Sequence, residues 1–448
     1  MDRFDLVVIG AGAAGEAAAH EGRRRGASVA IIDRGRFGGS CPFWACMPSK
    51  ALLHAAAVHH AGGDYPWRRA SDFRDYMINR EGVDEPDDSG HVRSLEGAGA
   101  TVIRGSAALA GPNQVRIGDR LIGAGAVILA VGSVSRIPTD VPGLDEAQPW
   151  TNVEGTGTRE LPASLVVLGG GPTGVELSQV YARYGVPVTL VHPRNRVHDR
   201  EHRRSSKLLG SALEADGVRL ALGARAVRVH AAPRGGPHRV ELSNGETASG
   251  HRILLAIGRE LPLGGLGLDT IGVTPTNGRL EPDDQLRIAE SVYVAGDVAG
   301  PELHTHLGHY TGEAAARIAL GDADYRPNFD AIPRATYTDP ETASVGLLLA
   351  QARDRGIDAV EYTIDLATTA KGYTVEAGGH VTIVVDRAER RLVGAFMAGP
   401  AVSEAIHECV LAIRARVPLV TLADTLHAFP TVARALGSLF IEADRALD

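Results

Sequence analysis

Phe4-Asp5-Leu6-Val7-Val8-Ile9-Gly10-Ala11-Gly12-Ala13-Ala14-Gly15 opens the chain as a short apolar run closed by glycines. An alanine-rich helical stretch continues to about Arg25, and a second apolar strand, Ser28 to Ile32, ends in Asp33. Asp33 lies twenty-one residues after Gly12. Strand, Gly-x-Gly-x-x-Gly, helix, strand, acid is the context in which this glycine pattern reads as a dinucleotide site. The glycines admit a pyrophosphate to the helix N-terminus, and the acid accepts from a ribose hydroxyl.

The same unit returns about 160 residues later. Ser164 to Leu168 reads as a strand, Gly169-Gly170-Gly171-Pro172-Thr173-Gly174 as the turn, and Val186 to Val191 as the second strand. An internal repeat at that distance is a duplicated domain, and it implies two dinucleotides. No acid follows the second strand. His192-Pro193-Arg194-Asn195-Arg196 stands there instead, offering two guanidiniums for a 2′-phosphate. The expected coenzyme is NADPH, with NADH possible.

Between the units, Gly38-Gly39-Ser40-Cys41-Pro42-Phe43-Trp44-Ala45-Cys46-Met47-Pro48-Ser49-Lys50 holds two of the three cysteines of the chain. Five residues of straight helix rise roughly 7.5 Å. A disulfide needs Cα atoms about 4.4–6.8 Å apart. The chain must therefore bend, and Pro42 and Pro48 are the expected benders. The spacing favours a bridge that can open and close over two free core thiols or half of a metal site, which would need further soft ligands nearby. The nearest histidines (His54, His59, His60) follow Lys50 on a helical run. No metal is expected. The chain has only three lysines, Lys50, Lys207 and Lys371, against forty-three arginines, which makes Lys50 beside Cys46 notable.

The 448 residues, 44% hydrophobic and carrying a net charge of −8, suit two to four domains with ample core. That balance excludes a basic nucleic-acid footprint and a polybasic membrane anchor. No apolar run reaches spanning length, and the first strand leaves no room for a leader, so the expectation is a cytoplasmic protein. Three cysteines are too few for a secreted disulfide framework. Residues 54–95 read as helical with an irregular acidic patch at Asp84 to Asp88, and residues 100–130 as short strands. Arg225 to Thr247 alternates like a meander, and Tyr293-Val294-Ala295-Gly296-Asp297 ends a strand in an acid. From about Ala331 the texture is α+β, with paired strands at Val381 to Val385 and Leu392 to Met397 and closing helices at Ser403 to Arg414 and Thr431 to Leu447.

Taken together these motifs resemble the class I pyridine nucleotide-disulfide oxidoreductases end to end. Ile128-Leu129-Ala130-Val131-Gly132-Ser133 is similar to the family's middle segment, with Val131 in place of threonine, and Ala295-Gly296-Asp297-Val298 completes the set. The resemblance implies an α/β chain of two Rossmann-like domains and a C-terminal α+β dimerisation domain. It places an FAD-binding part at 1–150, an NAD(P)-binding domain at 151–272, a second FAD or central part at 273–330, and an interface domain at 331–448. FAD is then held by Gly10, Gly12, Ala14, Gly15, Asp33, Gly39, Ser40, Lys50, Ala130, Gly132 and Asp297. NAD(P) falls to Gly169, Gly171, Gly174, Glu176, His192, Arg194, Arg196 and Gly258. By the same resemblance Cys46 faces the flavin, Cys41 meets the substrate, and Lys50 and Glu176 pair near the flavin. A homodimer is implied too.

The family's disulfide-reducing members carry a His-Pro-Thr motif with a glutamate five residues after the histidine, and that histidine is the acid/base of the partner's outer thiol. Here Phe429 occupies the histidine position and Arg434 the glutamate position. The loss points to a small oxidant that needs little proton donation: a quinone, a soft metal ion, a thiol adduct or a strained disulfide. Dihydrolipoamide dehydrogenase, a mercuric-reductase-like metal or quinone reductase, and a redox-sensing flavoprotein without turnover are the alternatives. Mercury handling in the family uses a C-terminal cysteine pair, and no cysteine follows Cys409, which reads as core.

Overall fold

A computed structural model describes residues 2–233 and 235–448. The chain divides into two compact units. The first comprises residues 1–51, 71–136 and 258–327, and the second comprises residues 52–70, 137–257 and 328–448.

The first unit is built on a sheet that runs through the strands Arg287–Ala289, Val292–Val294, Arg120–Leu129, Arg3–Ile9, Val29–Asp33 and Thr101–Arg104, with a hairpin branching from it. Its central pairs are parallel, with Leu6 opposite both Val29 and Ala126. Parallel strands are covered on both faces, so they need continuous apolar side chains. Leu6, Val7 and Val8 are wholly buried accordingly. One face packs on Val7, Ile9, Val127, Leu129 and Val294. The helices Ala13–Arg24 and Thr305–Ala319 lie against each other in this unit. Gly312 permits that approach, because a Cβ there would stand 2.2 Å from the Ala14 carbonyl oxygen. The fold thereby sets the N-termini of these helices side by side, and both carry site residues.

The second unit holds a four-stranded parallel sheet in the order Arg219–Leu222, Val188–His192, Leu165–Leu168, Arg252–Leu255. A three-stranded antiparallel meander covers residues 226–250. Residues 334–399 form a five-stranded antiparallel sheet in which Ile383 sits opposite Ala395. The helices Val402–Arg414 and Val432–Ala446 close over its apolar face through Ile406, Cys409, Leu436 and Phe440. The strand Ala359–Asp365 and the short helices Leu349–Asp354 and Ala370–Val375 lie outside the sequence expectation, because each is short and buries few apolar side chains. Among the described residues no helix is long and apolar enough to cross a membrane.

Candidate active site

The first glycine turn is as tight as its residues allow. Gly10 has φ +103°, and a Cβ there would lie 2.3 Å from the Ala130 carbonyl oxygen. A Cβ on Gly15 would stand 1.8 Å from the Gly10 oxygen, so only glycine lets helix and strand meet here. The helix begins at Gly12 with no side chain capping it. Gly39 closes over the turn, since its Cβ would sit 2.6 Å from the Gly12 Cα, and the Gly38 N–H donates to the Ala11 carbonyl at 2.8 Å. Asp33 accepts from the Ala11 N–H at 2.6 Å and from the Gly35 N–H at 2.7 Å, which fixes its carboxylate beside the turn. Asp297 accepts from the Ser133 hydroxyl and lies 3.4 Å from the Arg259 guanidinium. Gly132, at φ +64°, faces open space. A cradle that any Cβ would fill, flanked by two fixed carboxylates, fits a dinucleotide.

The two cysteines meet through a break in the helix. Ser40–Trp44 is one short helix and Cys46–His60 the next, and the chain turns at Ala45, with φ −129° and ψ −94°. Pro42 and Pro48 each fall in the first turn of their own helix, where a missing N–H costs nothing. The bend is therefore at Ala45; Pro42 stands early in its helix as expected, while Pro48, expected to loosen the turn between the cysteines, lies in the first turn of the second helix. Cys41 and Cys46 are half-buried thiols. A hydrogen bond to Cys46, then burial, then the charge on Cys46 hold the Cys41 thiol far above its ordinary range. Thr305, the first residue of its helix, brings its hydroxyl to 3.4 Å from Cys46 Sγ and is also hydrogen-bonded to Cys41. Lys50 Nζ donates to Ser49 Oγ at 3.4 Å, and that hydroxyl donates to the Cys46 carbonyl at 3.2 Å.

Sequence reasoning missed Thr305 and its neighbours. His304 bonds to Glu302 at 2.8 Å, and its ring stacks on His306 with centroids 5.0 Å apart. The triplet His304-Thr305-His306 was the available signal. His309 and Glu313 follow Thr305 at one-turn intervals, so the three form one stripe. His309 and Glu313 line a cavity of about 440 Å³ together with Glu16, His20, Glu21 and Arg24. Glu16 bonds to His91 at 2.9 Å and raises its pKa.

In the second unit the glycine turn repeats the first. Gly169 has φ +114°, and its Cβ would stand 2.2 Å from the Ala256 oxygen. A Cβ on Gly174 would stand 1.9 Å from the Gly169 oxygen. Gly171 caps the helix Pro172–Arg183 with no side chain. This cradle repeats the close glycine packing of the first and fits a second dinucleotide on that ground. Glu176 is buried within that helix and accepts from the Tyr337 N–H at 3.0 Å. Gly258, in the first unit, faces open space at φ +114°.

Of the two expected guanidiniums, only Arg194 is largely exposed. Arg196 donates to the Glu201 carbonyl at 3.1 Å, to Ser206 Oγ at 3.3 Å and to the Asp199 carbonyl, and so braces its own loop. In the C-terminal part of this unit Phe429 is 74% exposed. Arg434 donates to Ser438 at 3.1 Å. His427 is buried against Gly437 and bonded to Glu408 at 2.8 Å, so the local fold consumes it. Cys409 is fully buried, and burial pushes its thiol up.

Asp33→Ala is expected to leave purified protein with less than about half its flavin, because the turn loses its clamp as well as a ribose acceptor. Absorbance of released flavin per chain checks this. A stoichiometry equal to wild type contradicts the assignment.

The family profile described as "Pyridine nucleotide-disulphide oxidoreductase" matches residues 4–319, and its dimerisation domain matches residues 332–439. A dihydrolipoyl dehydrogenase of Thermus scotoductus is 32% identical over 97% of this chain and 96% of its own length. A mercuric reductase of Bacillus cereus is 28% identical over 99% of this chain and 72% of its own. The fold is shared with the Escherichia coli flavoprotein disulfide reductase RclA, solved as a Cu(II) complex, at TM-score 0.88 and 24% identity over 99% of this chain and 100% of the other. LpdA of Mycobacterium tuberculosis superposes at TM-score 0.87 with 25% identity, covering 99% of both chains. Glycine cradles, paired cysteines and both domain matches agree: the chain belongs to the FAD-dependent pyridine nucleotide-disulphide oxidoreductases.

Proposed function

We propose that this enzyme takes electrons from NAD(P)H and passes them through the Cys41–Cys46 pair to a small oxidant that needs no proton from the protein. The carrying observation is that Cys41 and Cys46 meet at a helix break beside the Thr305 hydroxyl, in a chain with Phe429 and Arg434 where an acid/base pair would stand. FAD in the first cradle supplies the two-electron chemistry that links a nicotinamide to a disulfide. Gly10, Gly12, Ala14, Gly15 and Gly39 seat its pyrophosphate. Asp33 takes a ribose hydroxyl and Asp297 the ribityl chain, while Ser40, Ala130 and Gly132 complete the cradle. Lys50 and Glu176 are assigned as an ion pair beside the ring. Gly169, Gly171, Gly174, His192, Arg194 and Gly258 are assigned to the coenzyme. Arg194 supports NADPH, with NADH possible. Division of the chain at 150, 272 and 330, a homodimer and a cytoplasmic location belong to the same reading.

The chemistry of the reduced pair follows from its protons. Cys46 carries the thiolate, steadied by the Thr305 hydroxyl. Cys41 keeps its proton, and a thiol is a poor nucleophile toward a disulfide. A soft metal ion expels that proton as it binds sulfur, which removes the need for a base. Two sulfurs then give up two electrons and close the disulfide, and the acceptor takes both. A quinone takes the electrons in the same way and draws its protons from water.

Relatives at 30–32% identity named dihydrolipoyl dehydrogenase support lipoamide as the second reading. An acceptor panel with NADPH and NADH separates the two. Quinone or Hg²⁺ turnover exceeding that with lipoamide by roughly 10²-fold, the typical worth of a general acid/base group, is expected. Comparable rates with lipoamide would overturn the proposal in favour of the second reading.

A further inference from the structure

In a Rossmann half, the residue closing the second strand faces the adenine ribose, and an acid there accepts from the 2′-hydroxyl. This chain places His192 at that point, as the last residue of Val188–His192. The imidazole is locked in one tautomer. Its Nδ1 accepts from the Gly170 N–H at 3.1 Å, so the proton resides on Nε2, which donates to Asp199 Oδ1 at 3.3 Å. Burial lowers the His192 pKa, which keeps the ring neutral. The other carboxylate oxygen, Asp199 Oδ2, stands 3.8 Å from Arg194 Nε.

One hydrogen bond draws the loop onto the glycine turn, and two further contacts fix the strand end and the loop. The His198 N–H donates to the Gly170 carbonyl at 2.8 Å. A Cβ on Gly170 would meet the His192 ring at 3.0 Å. Arg196 ties the Asp199 and Glu201 carbonyls together. Asp199 is consequently held beside the very position from which the sequence had lost its acid, with about a third of its side chain exposed.

We infer that Asp199 sets the coenzyme choice: its carboxylate, delivered by the loop, accepts from a 2′-hydroxyl and offsets Arg194 against a 2′-phosphate. The inference rests on the second cradle being the NAD(P) site. A chain with Arg194 alone would favour NADP strongly. Asp199 restores binding of NAD and tempers that of NADP, so both coenzymes are used.

The test is calorimetric titration of the holoenzyme with NAD⁺ and with NADP⁺. Replacing one carboxylate near a partly solvated charge moves affinity by roughly fivefold. Asp199→Asn is expected to tighten NADP⁺ by about that factor while leaving NAD⁺ within about twofold, since the amide still accepts. Asp199→Ala is expected to tighten NADP⁺ similarly and also weaken NAD⁺, and Arg194→Ala to weaken NADP⁺ alone. An unchanged Kd ratio in both Asp199 variants overturns the inference, as does equal weakening of both coenzymes. Wild-type enzyme that binds neither coenzyme would instead sink the assignment of the second cradle.

Discussion

Cys46→Ser is expected to lower NAD(P)H-dependent turnover with every acceptor on the order of 10³-fold or more, the scale seen when a reacting group is deleted. Flavin content is expected to stay at wild-type level, because Asp33, Gly39 and the first turn are untouched. Cys41→Ser is expected to fall as far in turnover but to differ in its spectrum. It keeps Cys46 beside Thr305, and so retains the long-wavelength absorption of a thiolate lying on flavin. Cys46→Ser loses that band. The contrast follows from the proposed assignment of Cys46 as the sulfur that faces the flavin and Cys41 as the one that meets the substrate. Equal spectra in the two variants would mean that the roles of the sulfurs are not divided in this way.

The second large effect is a gain. Phe429→His combined with Arg434→Glu supplies the acid/base pair that disulfide-reducing relatives place at these positions. Phe429 is exposed and, among the described residues, the Arg434 guanidinium bonds to Ser438, so neither change empties a core. Disulfide turnover is expected to rise by about 10²-fold, the lower end of what a positioned acid/base contributes, while quinone turnover changes by less than about threefold. Steady-state rates with lipoamide and a quinone check it. No gain in the double variant, with flavin and thermal unfolding unchanged, would show that proton supply is not what limits disulfides here.

Much of this was legible in the sequence because it depends on backbone geometry. Gly10 and Gly15 announce a turn so close that a Cβ has no room, and a strand and an acid at fixed offsets tell which turn it is. The cysteine spacing announced a bend. Its place did not follow, because proline reads equally as a kink within a helix and as the first turn of a new one, and the break fell at Ala45. Contacts made across long separations were silent. Thr305 reaches Cys46 over 259 residues, through a helix packing that depends on Gly312 against Ala14. Asp199 was passed over for a simpler reason. The motif asks for an acid at the end of the strand, and this chain delivers one seven residues later by folding the loop back. Arg196 shows the converse: an arginine counted for a ligand was needed to hold that loop.

The account turns on Cys41 and Cys46 opening and closing during turnover while Cys409 stays buried and inert. With three cysteines in the chain, counting thiols in denatured protein reads this directly. Air-oxidised enzyme should give one thiol per chain, and enzyme reduced anaerobically with NADPH or NADH should give three. Three thiols before and after reduction, or one in both, would contradict it.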